Sequence, residues 1–123
     1  MFRVYDKKKK CWLQDDVYIS LAEDMYASKH ALFGTKKLSL MPDIRYVYQR
    51  DIGLKDKNGS RIFEGDICKA DFDNIIGLIA YVPDHAAYYF LDYSEGKYYP
   101  LGINACKDLE IIGNNFENPE LLK

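Results

Sequence analysis

The chain of 123 residues predicts a mainly β protein, with an N-terminal β-rich segment, a small antiparallel barrel after it, and at most one or two short helices. Three observations predict it. Apolar residues recur mostly at every second position, the spacing that puts them on one face of a strand. Turn-forming clusters, of which Asn58-Gly59 is the sharpest, punctuate the second half at the interval of short strands. The chain also carries eleven tyrosines, and aromatic and β-branched side chains favour the pleated surface.

Taken in order, Phe2 and Val4 on one side and Cys11-Trp12-Leu13 on the other flank a lysine-rich turn and read as a hairpin. Val17, Ile19 and Leu21 then alternate with polar or aromatic neighbours. From Ser20 to Phe33 two readings stand, a short helix or a further hairpin, because Leu21, Met25 and Ala31-Leu32 also fit a helical stripe. Lys37 to Met41 and Ile44 to Tyr48 read as strands separated by a turn at Pro42-Asp43.

The second half is more explicit. Asn58-Gly59, between Leu54-Lys55-Asp56-Lys57 and Ser60-Arg61-Ile62-Phe63, predicts a hairpin over 54–63. Both central residues of the favoured two-residue turn need positive φ, and Asn-Gly tolerates this best. Glu64-Gly65-Asp66 then breaks the strand, with Glu64 or Asp66 accepting backbone N–H bonds at a tight bend. The strand that begins at Ile67 to Phe72 runs through Asp73-Asn74 into Ile75 to Val82, where Gly77 signals a bulge or a corner. Pro83-Asp84-His85 ends it, Ala87 to Tyr93 returns, and Ser94 to Lys97 turns again. Tyr98 to Leu101 follows, and Leu109 to Ile112 closes. Ile67, Leu78, Phe90, Leu109 and Ile111 are expected to share one core. Five such strands suggest a small barrel. The bend of Gly-Asp-hydrophobic type followed by a Gly-x-Ile strand is similar, at the level of fold alone, to SH3-like barrels. Asn118-Pro119 places a cap before a proline, so Pro119 to Leu122 reads as one helical turn.

Length indicates a single domain over 1–123, and any subdomain boundary lies near Arg50 to Gly53, giving 1–52 and 53–123. No apolar run approaches the ~20 residues that cross a bilayer, and no apolar segment follows the N-terminal lysines, so neither a membrane span nor a secretory signal is expected. Cys11, Cys68 and Cys106 are odd in number and far apart; they write neither a disulfide framework nor a metal knuckle and read as reduced thiols in a cytoplasm. Net charge is only -2, yet residues 1–50 carry ten basic against six acidic side chains and residues 51–123 seven against thirteen. Lys7, Lys8, Lys9 and Lys10 read first as a solvated turn. With Arg3 they are also the residues a nucleic-acid face would use.

Catalytic constellations are sparse. A nucleophile needs a base within reach, and the two histidines, His30 and His85, fall in an ambiguous segment and a turn. Asp56, Asn58 and Ser60 alternate like the start of a calcium loop, but the glycine comes two positions early, so the turn reading stands and neither metal nor cofactor is expected. Tyr81, Tyr88, Tyr89, Phe90, Tyr93, Tyr98 and Tyr99 concentrate on three neighbouring predicted strands. Alternation splits them between faces. Those turned outward, drawn from Tyr88, Tyr89, Tyr93, Tyr98 and Tyr99, would make a contact patch. Only Lys97 accompanies them, against Asp84, Asp92 and Glu95, which favours protein over nucleic acid as the partner.

Three stretches carry a family resemblance. Phe2-Arg3-Val4-Tyr5-Asp6-Lys7-Lys8 is similar to a Phe-Arg-x-Trp-Asp-Lys opening, with tyrosine in place of tryptophan. The central run from Gly53 to Ile67 contains the turn Asn58-Gly59 and the bend Glu64-Gly65-Asp66. The closing Leu109-Glu110-Ile111-Ile112-Gly113-Asn114 leads to Glu117-Asn118-Pro119-Glu120-Leu121. In order and spacing these resemble the YopX-like proteins of bacteriophages and prophages. Tyr48 to Ile52 depart from the family's usual Gln-x-Thr lead-in, and residues 12–47 carry no part of the likeness. The resemblance implies a small β-rich protein and brings no established activity with it. Together with the residue reading it sets the expectation of a non-enzymatic phage or prophage accessory protein in a bacterial cytoplasm, one that binds a protein partner or a second copy of itself.

Overall fold

Strands dominate the computed structural model, which describes residues 2–13, 17–19, 25–30, 36–41 and 45–122 and divides into two units, Arg3–Tyr48 and Met1–Phe2 with Gln49–Lys123. The protein is mainly β. The division falls between Tyr48 and Gln49, ahead of the Arg50 to Gly53 stretch.

In the unit Arg3–Tyr48, β1 (Phe2–Asp6) and β2 (Cys11–Trp12) form the hairpin expected around the lysines, with Tyr5 opposite Trp12 and Asp6 opposite Cys11. Lys10 adopts a positive φ of 55° to close the turn, and its N–H donates to the Asp6 carbonyl at 2.7 Å. The cross-strand rings of Tyr5 and Trp12 meet edge to face at 4.9 Å, and Val4 and Tyr5 are buried. Strand order is β2-β1-β6, where β6 is Tyr46–Lys55. A separate antiparallel sheet joins β3 (Val17–Ile19), β4 (Met25–His30) and β5 (Lys36–Met41) in sequence order. Of the two readings of the interval from Ser20 to Phe33, the strand is therefore correct over Met25–His30, since Met25, Tyr26 and His30 each pair across to β5. The Pro42-Asp43 turn lies outside the described residues.

The other unit is built on a five-stranded antiparallel half-barrel. Its order is β11 (Lys97–Pro100), β10 (Ala87–Asp92), β9 (Ile76–Val82), β8 (Asp66–Ala70) and β12 (Leu109–Asn114). Register puts Cys68 opposite Gly77, Ile79 opposite Phe90 and Ala70 opposite Leu109, so one face carries the core. Ile62 of β7 (Arg61–Phe63) and Cys106 of the short helix α1 (Ile103–Cys106) complete that core, with Ile52, Leu54, Tyr99 and Ile111 packed against it. Phe90 and Leu109 belong to this core as expected, and Ile111 borders it. Leu78 and Ile67 do not. Across the β8–β9 ladder these two are opposite one another on the reverse face, and Ile79 takes the inward position. The slip is of one residue on β9, where the unbroken run Ile75-Ile76-Gly77-Leu78-Ile79 offers apolar side chains to both faces. Ile67 is fully buried nevertheless.

Two glycines have functions that the alternation could not announce. Gly77 sits in regular register without a bulge; a methyl group there would meet the Phe90 ring at 2.8 Å and the Leu91 carbonyl, so close approach of β10 excludes a side chain. The bulge lies instead in β12, between Ile111 and Gly113. Gly65 adopts φ +86°, and a methyl group would strike the Gln49 amide and lie 2.7 Å from Asn115 Oδ1. Its N–H donates to the Ile79 carbonyl at 2.7 Å, and its carbonyl accepts from the Asn115 N–H at 2.8 Å. The bend thus holds β9 and the end of β12 by its backbone alone.

The hairpin over 54–63 is present, with Lys55 opposite Arg61, but its turn is not the mirror-image one. Gly59 has φ +81° and Asn58 does not have a positive φ. Asp56 organises the turn. Its Oδ1 accepts from the N–H groups of Asn58 and Ser60, both at 2.9 Å, and its carbonyl accepts from Gly59 N–H at 3.1 Å. This is the type I turn closed by a left-handed glycine, the next commonest hairpin solution. Consecutive positive φ values of 56° and 52° occur instead at Asp73 and Asn74, so the strand beginning at Ile67 stops at Ala70 and does not run through to β9. At the C-terminus Pro119–Leu122 forms a single 3-10 turn. Asn118 does not cap it with its side chain; its Oδ1 accepts from Asn114 N–H at 3.2 Å.

Replacing Gly65 with alanine is expected to cost roughly 2 kcal/mol or more, from backbone strain together with the collision, whereas Gly59→Ala costs about 1 kcal/mol, from the strain alone. Urea denaturation of both variants measures the difference, and equal losses would contradict the crowding at Gly65. Asp56→Asn keeps shape but turns an N–H₂ toward donors, because Asp56 Oδ2 accepts from Ile111 N–H at 3.1 Å. A loss of about 1–3 kcal/mol is expected. A variant as stable as the wild type would show that the two carboxylate oxygens are not both needed.

Candidate aromatic interface

Register on β10 and β11 sorts the tyrosines. Tyr89 pairs with Pro100 and Leu91 with Tyr98, which places Tyr89 and Tyr98 on the face of Leu78, Ala80 and Val82. The 3-10 turn Pro83–His85 ends β9 and brings His85 over this face. There three rings gather. Tyr89 and Tyr98 meet edge to face at 5.3 Å, and the His85 ring lies 5.3 Å from Tyr89 and 5.9 Å from Tyr98. The His85 Nδ1 and the Tyr89 hydroxyl are hydrogen-bonded at 2.9 Å. Tyr98 is 55% exposed, so the cluster is packed yet open on its outer side.

The remaining members of the expected patch are elsewhere. Tyr88 pairs with Tyr81 across the ladder, ring to ring at 5.1 Å, on the opposite face. Tyr99 belongs to the core side, 6.2 Å from Phe90 and 5.6 Å from Phe72. Tyr93 stands in the β10–β11 turn, 55% exposed. A single patch from Tyr88 to Tyr99 therefore does not form; alternation in β10 and β11 divides it. His85 is the member that sequence reasoning left out. Its signal was present, since a turn residue four positions before Tyr89 returns to that strand's start.

In the unit Arg3–Tyr48, the basic residues split likewise. The Arg3 guanidinium lies 4.2 Å from the Trp12 ring centroid, while Lys7 to Lys10 are exposed on the β1–β2 turn. That turn is organised by buried Asp6. Its Oδ1 accepts from the N–H groups of Lys8 and Lys9 at 3.0 and 3.1 Å, and the Arg45 fork donates to both oxygens at 2.9 and 2.8 Å. The Arg45 hydrogen bonds, reinforced by the Lys9 and Lys8 amides, hold the Asp6 carboxyl far below the usual carboxylate range, against the opposing push of burial.

The bend Glu64-Gly65-Asp66 uses both carboxylates on the backbone. Glu64 Oε1 accepts from Arg50 N–H at 2.9 Å and Asp66 Oδ2 from Phe63 N–H at 2.8 Å. Cys68 and Cys106 are buried, and desolvation pushes both thiols up, so neither is a thiolate nucleophile near neutral pH. Cys11 is free and exposed. Among the described residues no group of three His, Cys, Asp or Glu side chains is placed to hold a metal, and no helix is long and apolar enough to cross a membrane.

The family model described as YopX protein matches residues 1–123. The chain belongs to the YopX family. No curated protein matches it. Among solved structures it is similar to protein EF1440 from Enterococcus faecalis, at 26% identity and a TM-score of 0.58 over 99% of this chain and 96% of that one. It is also similar to protein yopX from Bacillus subtilis, at 16% identity and a TM-score of 0.64 over 99% and 97% of the two chains. The second likeness is one of fold. The YopX-family motifs fall on structural devices in this chain: Asp6 beneath the lysine turn, Asp56 and Gly65 in the central run, and Asn114 with Asn118 in the closing one.

Because Asp6 has a lowered pKa in the folded state, its contribution is complete above the unfolded value of ~3.9 and is lost as pH falls from there toward the folded value. Asp6→Asn is therefore expected to reduce hydrogen-exchange protection of the Lys8 and Lys9 amides at neutral pH, and the gap to wild type should narrow steadily as pH falls from about 5 to about 2. A gap that stays constant across that range would remove Asp6 ionisation as its source.

Proposed function

We propose that this YopX-family protein acts by non-enzymatic contact with another protein chain, a partner or a second copy of itself, through the His85–Tyr89–Tyr98 face. The observation that carries this reading is the ring cluster itself. Three mutually packed aromatic rings on an apolar strand face, with Tyr98 half exposed, supply rigid contact area at low entropic cost, as the centres of protein interfaces do. Leu78, Ala80, Val82 and Leu91 on the same face are only partly buried and extend it. Asp84, beside His85 in the 3-10 turn, disfavours a phosphate backbone there.

The setting proposed with it is a phage or prophage accessory protein in the cytoplasm of a bacterial host. Three free cysteines fit a reducing compartment, and the solved relatives come from two bacteria.

Light scattering and pull-down from bacterial lysate, with and without nuclease, test the reading on wild type and on the double variant His85→Ala, Tyr98→Ser. Association in the wild type is expected to weaken by tenfold or more, about 1.4 kcal/mol, in the variant, with an unchanged circular dichroism spectrum. Scattering separates self-association from a foreign partner. A strictly monomeric wild type that recovers the same proteins as the variant would sink the proposal. Salt-sensitive DNA or RNA binding that is lost on changing Lys7 to Lys10 would transfer the function to the basic turn.

A further inference from the structure

The tip of the 54–63 hairpin carries two adjacent residues that can react with each other. Asn58 and Gly59 are both exposed, and a methyl group built on Gly59 would meet nothing within 4 Å. The Asn58 backbone N–H donates to Asp56 Oδ1, but its side-chain carboxamide makes no hydrogen bond among the described residues. The Gly59 N–H donates to the Asp56 carbonyl at 3.1 Å, near the long end of such bonds. An electrophilic carbonyl that nothing restrains thus stands next to a weakly held backbone nitrogen.

The backbone nitrogen after an asparagine can close a succinimide ring on the side-chain carbonyl, and crowding at that nitrogen limits the step. Glycine, with no Cβ, crowds it least. The chain has six asparagines, and Asn58 alone precedes a glycine. Asn74 precedes the β-branched Ile75, and Asn104 precedes Ala105 inside α1. The carboxamides of the remaining three are engaged: Asn114 Oδ1 accepts from the N–H groups of Phe116 and Glu117, Asn115 Oδ1 from the Gln49 amide, and Asn118 Oδ1 from Asn114 N–H. Pro119 also leaves no N–H after Asn118.

We propose that Asn58-Gly59 is a self-modifying site, at which the folded chain converts its own asparagine to aspartate and isoaspartate with water as co-reactant. Hydroxide takes the Gly59 amide proton, and the nitrogen forms a bond to Asn58 Cγ. The Cγ–Nδ2 bond breaks, and the amide nitrogen leaves as ammonia with a proton from water, which closes the succinimide. Water then opens the ring. Cleavage of the new Cγ–N bond gives aspartate, and cleavage of the original peptide C–N bond gives isoaspartate, with the main chain rerouted through Cβ and Cγ. Overall one water enters and one ammonia leaves, and nothing is oxidised or reduced. Both products set a new carboxylate close to buried Asp56, and isoaspartate also lengthens the main chain within the turn. Asp56 holds the turn through the N–H groups of Asn58, Gly59 and Ser60 and reaches β12 through Ile111 N–H, so the conversion loosens both. The aromatic face takes no part in this chemistry, and either reading can fail without the other.

The test is incubation of the folded full-length chain in ¹⁸O-labelled water at mildly alkaline pH. Peptide mapping by mass spectrometry locates the label, and an isoaspartyl methyltransferase serves as the probe for the iso form. Labelled conversion at position 58 is expected to outpace that at every other asparagine by about tenfold or more. Gly59→Ala should slow it by about tenfold or more, an added barrier of ~1.4 kcal/mol. Asn58→Ser, which removes the electrophile from an exposed position, should abolish it. The converted chain should show faster hydrogen exchange at the Ser60 and Ile111 amides than the fresh chain. The proposal is overturned if the folded chain keeps Asn58 intact under conditions where the urea-unfolded chain converts it, if another asparagine converts as fast, or if Gly59→Ala changes nothing. Unaltered exchange at Ile111 would overturn the link to β12.

Discussion

Gly65 is the point through which the C-terminal unit is tied together. A positive φ turns the chain sharply between β7 and β8, and the absence of a side chain lets Gln49 and Asn115 close over it. Its N–H and carbonyl then reach β9 and the residue after β12, while the Gln49 amide donates to Asn115 Oδ1 at 2.8 Å. Four chain segments distant in sequence thus meet on one backbone unit, because only there can they approach so closely. Glu64 and Asp66 on either side bond backbone amides and hold the bend in place.

The same device recurs throughout the protein. Asp6, Asp56, Asp66, Asp92 and Asn114 are all buried, and each accepts backbone N–H groups at a turn or bend. A small β protein has many connections for its length, and each leaves amides that the ladders do not pair. Short acidic or amide side chains, two or three bonds from the backbone, satisfy them without a helix or a long loop. Arg45 compensates the charge on Asp6 with both of its forked donors. Asp92 is the exception, having one oxygen in the turn and one buried with no donor among the described residues.

Tyrosine supplies much of what remains. The residue has an apolar body and a polar tip, so it serves on both faces of a sheet, and neighbouring strands here present it to both. Tyr99 reinforces the core beside Phe90, whereas Tyr89 and Tyr98 build the outer cluster with His85. Three consecutive pairs across β10 and β11, Tyr89 with Pro100, Phe90 with Tyr99 and Leu91 with Tyr98, fix this assignment.

By itself the sequence determined the β class, the hairpin at Cys11–Trp12, the hairpin at 54–63 and the bend at Glu64-Gly65-Asp66. Each rests on local chemistry: period-two alternation, glycine at positive φ, proline at a strand end. The three motif stretches were enough to indicate the YopX family. Only the tertiary structure decided which face of β9 is inward, because Ile76, Leu78 and Ile79 are all apolar and only the pairing of Ile79 with Phe90 distinguishes them. It also decided that Gly77 is a contact glycine, that Asp56 ties its turn to β12 through Ile111, and that Asp92 is left with an unpaired oxygen. Each of these depends on a partner 11 or more residues away, or on the lack of one, and local propensity carries no information about such distant atoms.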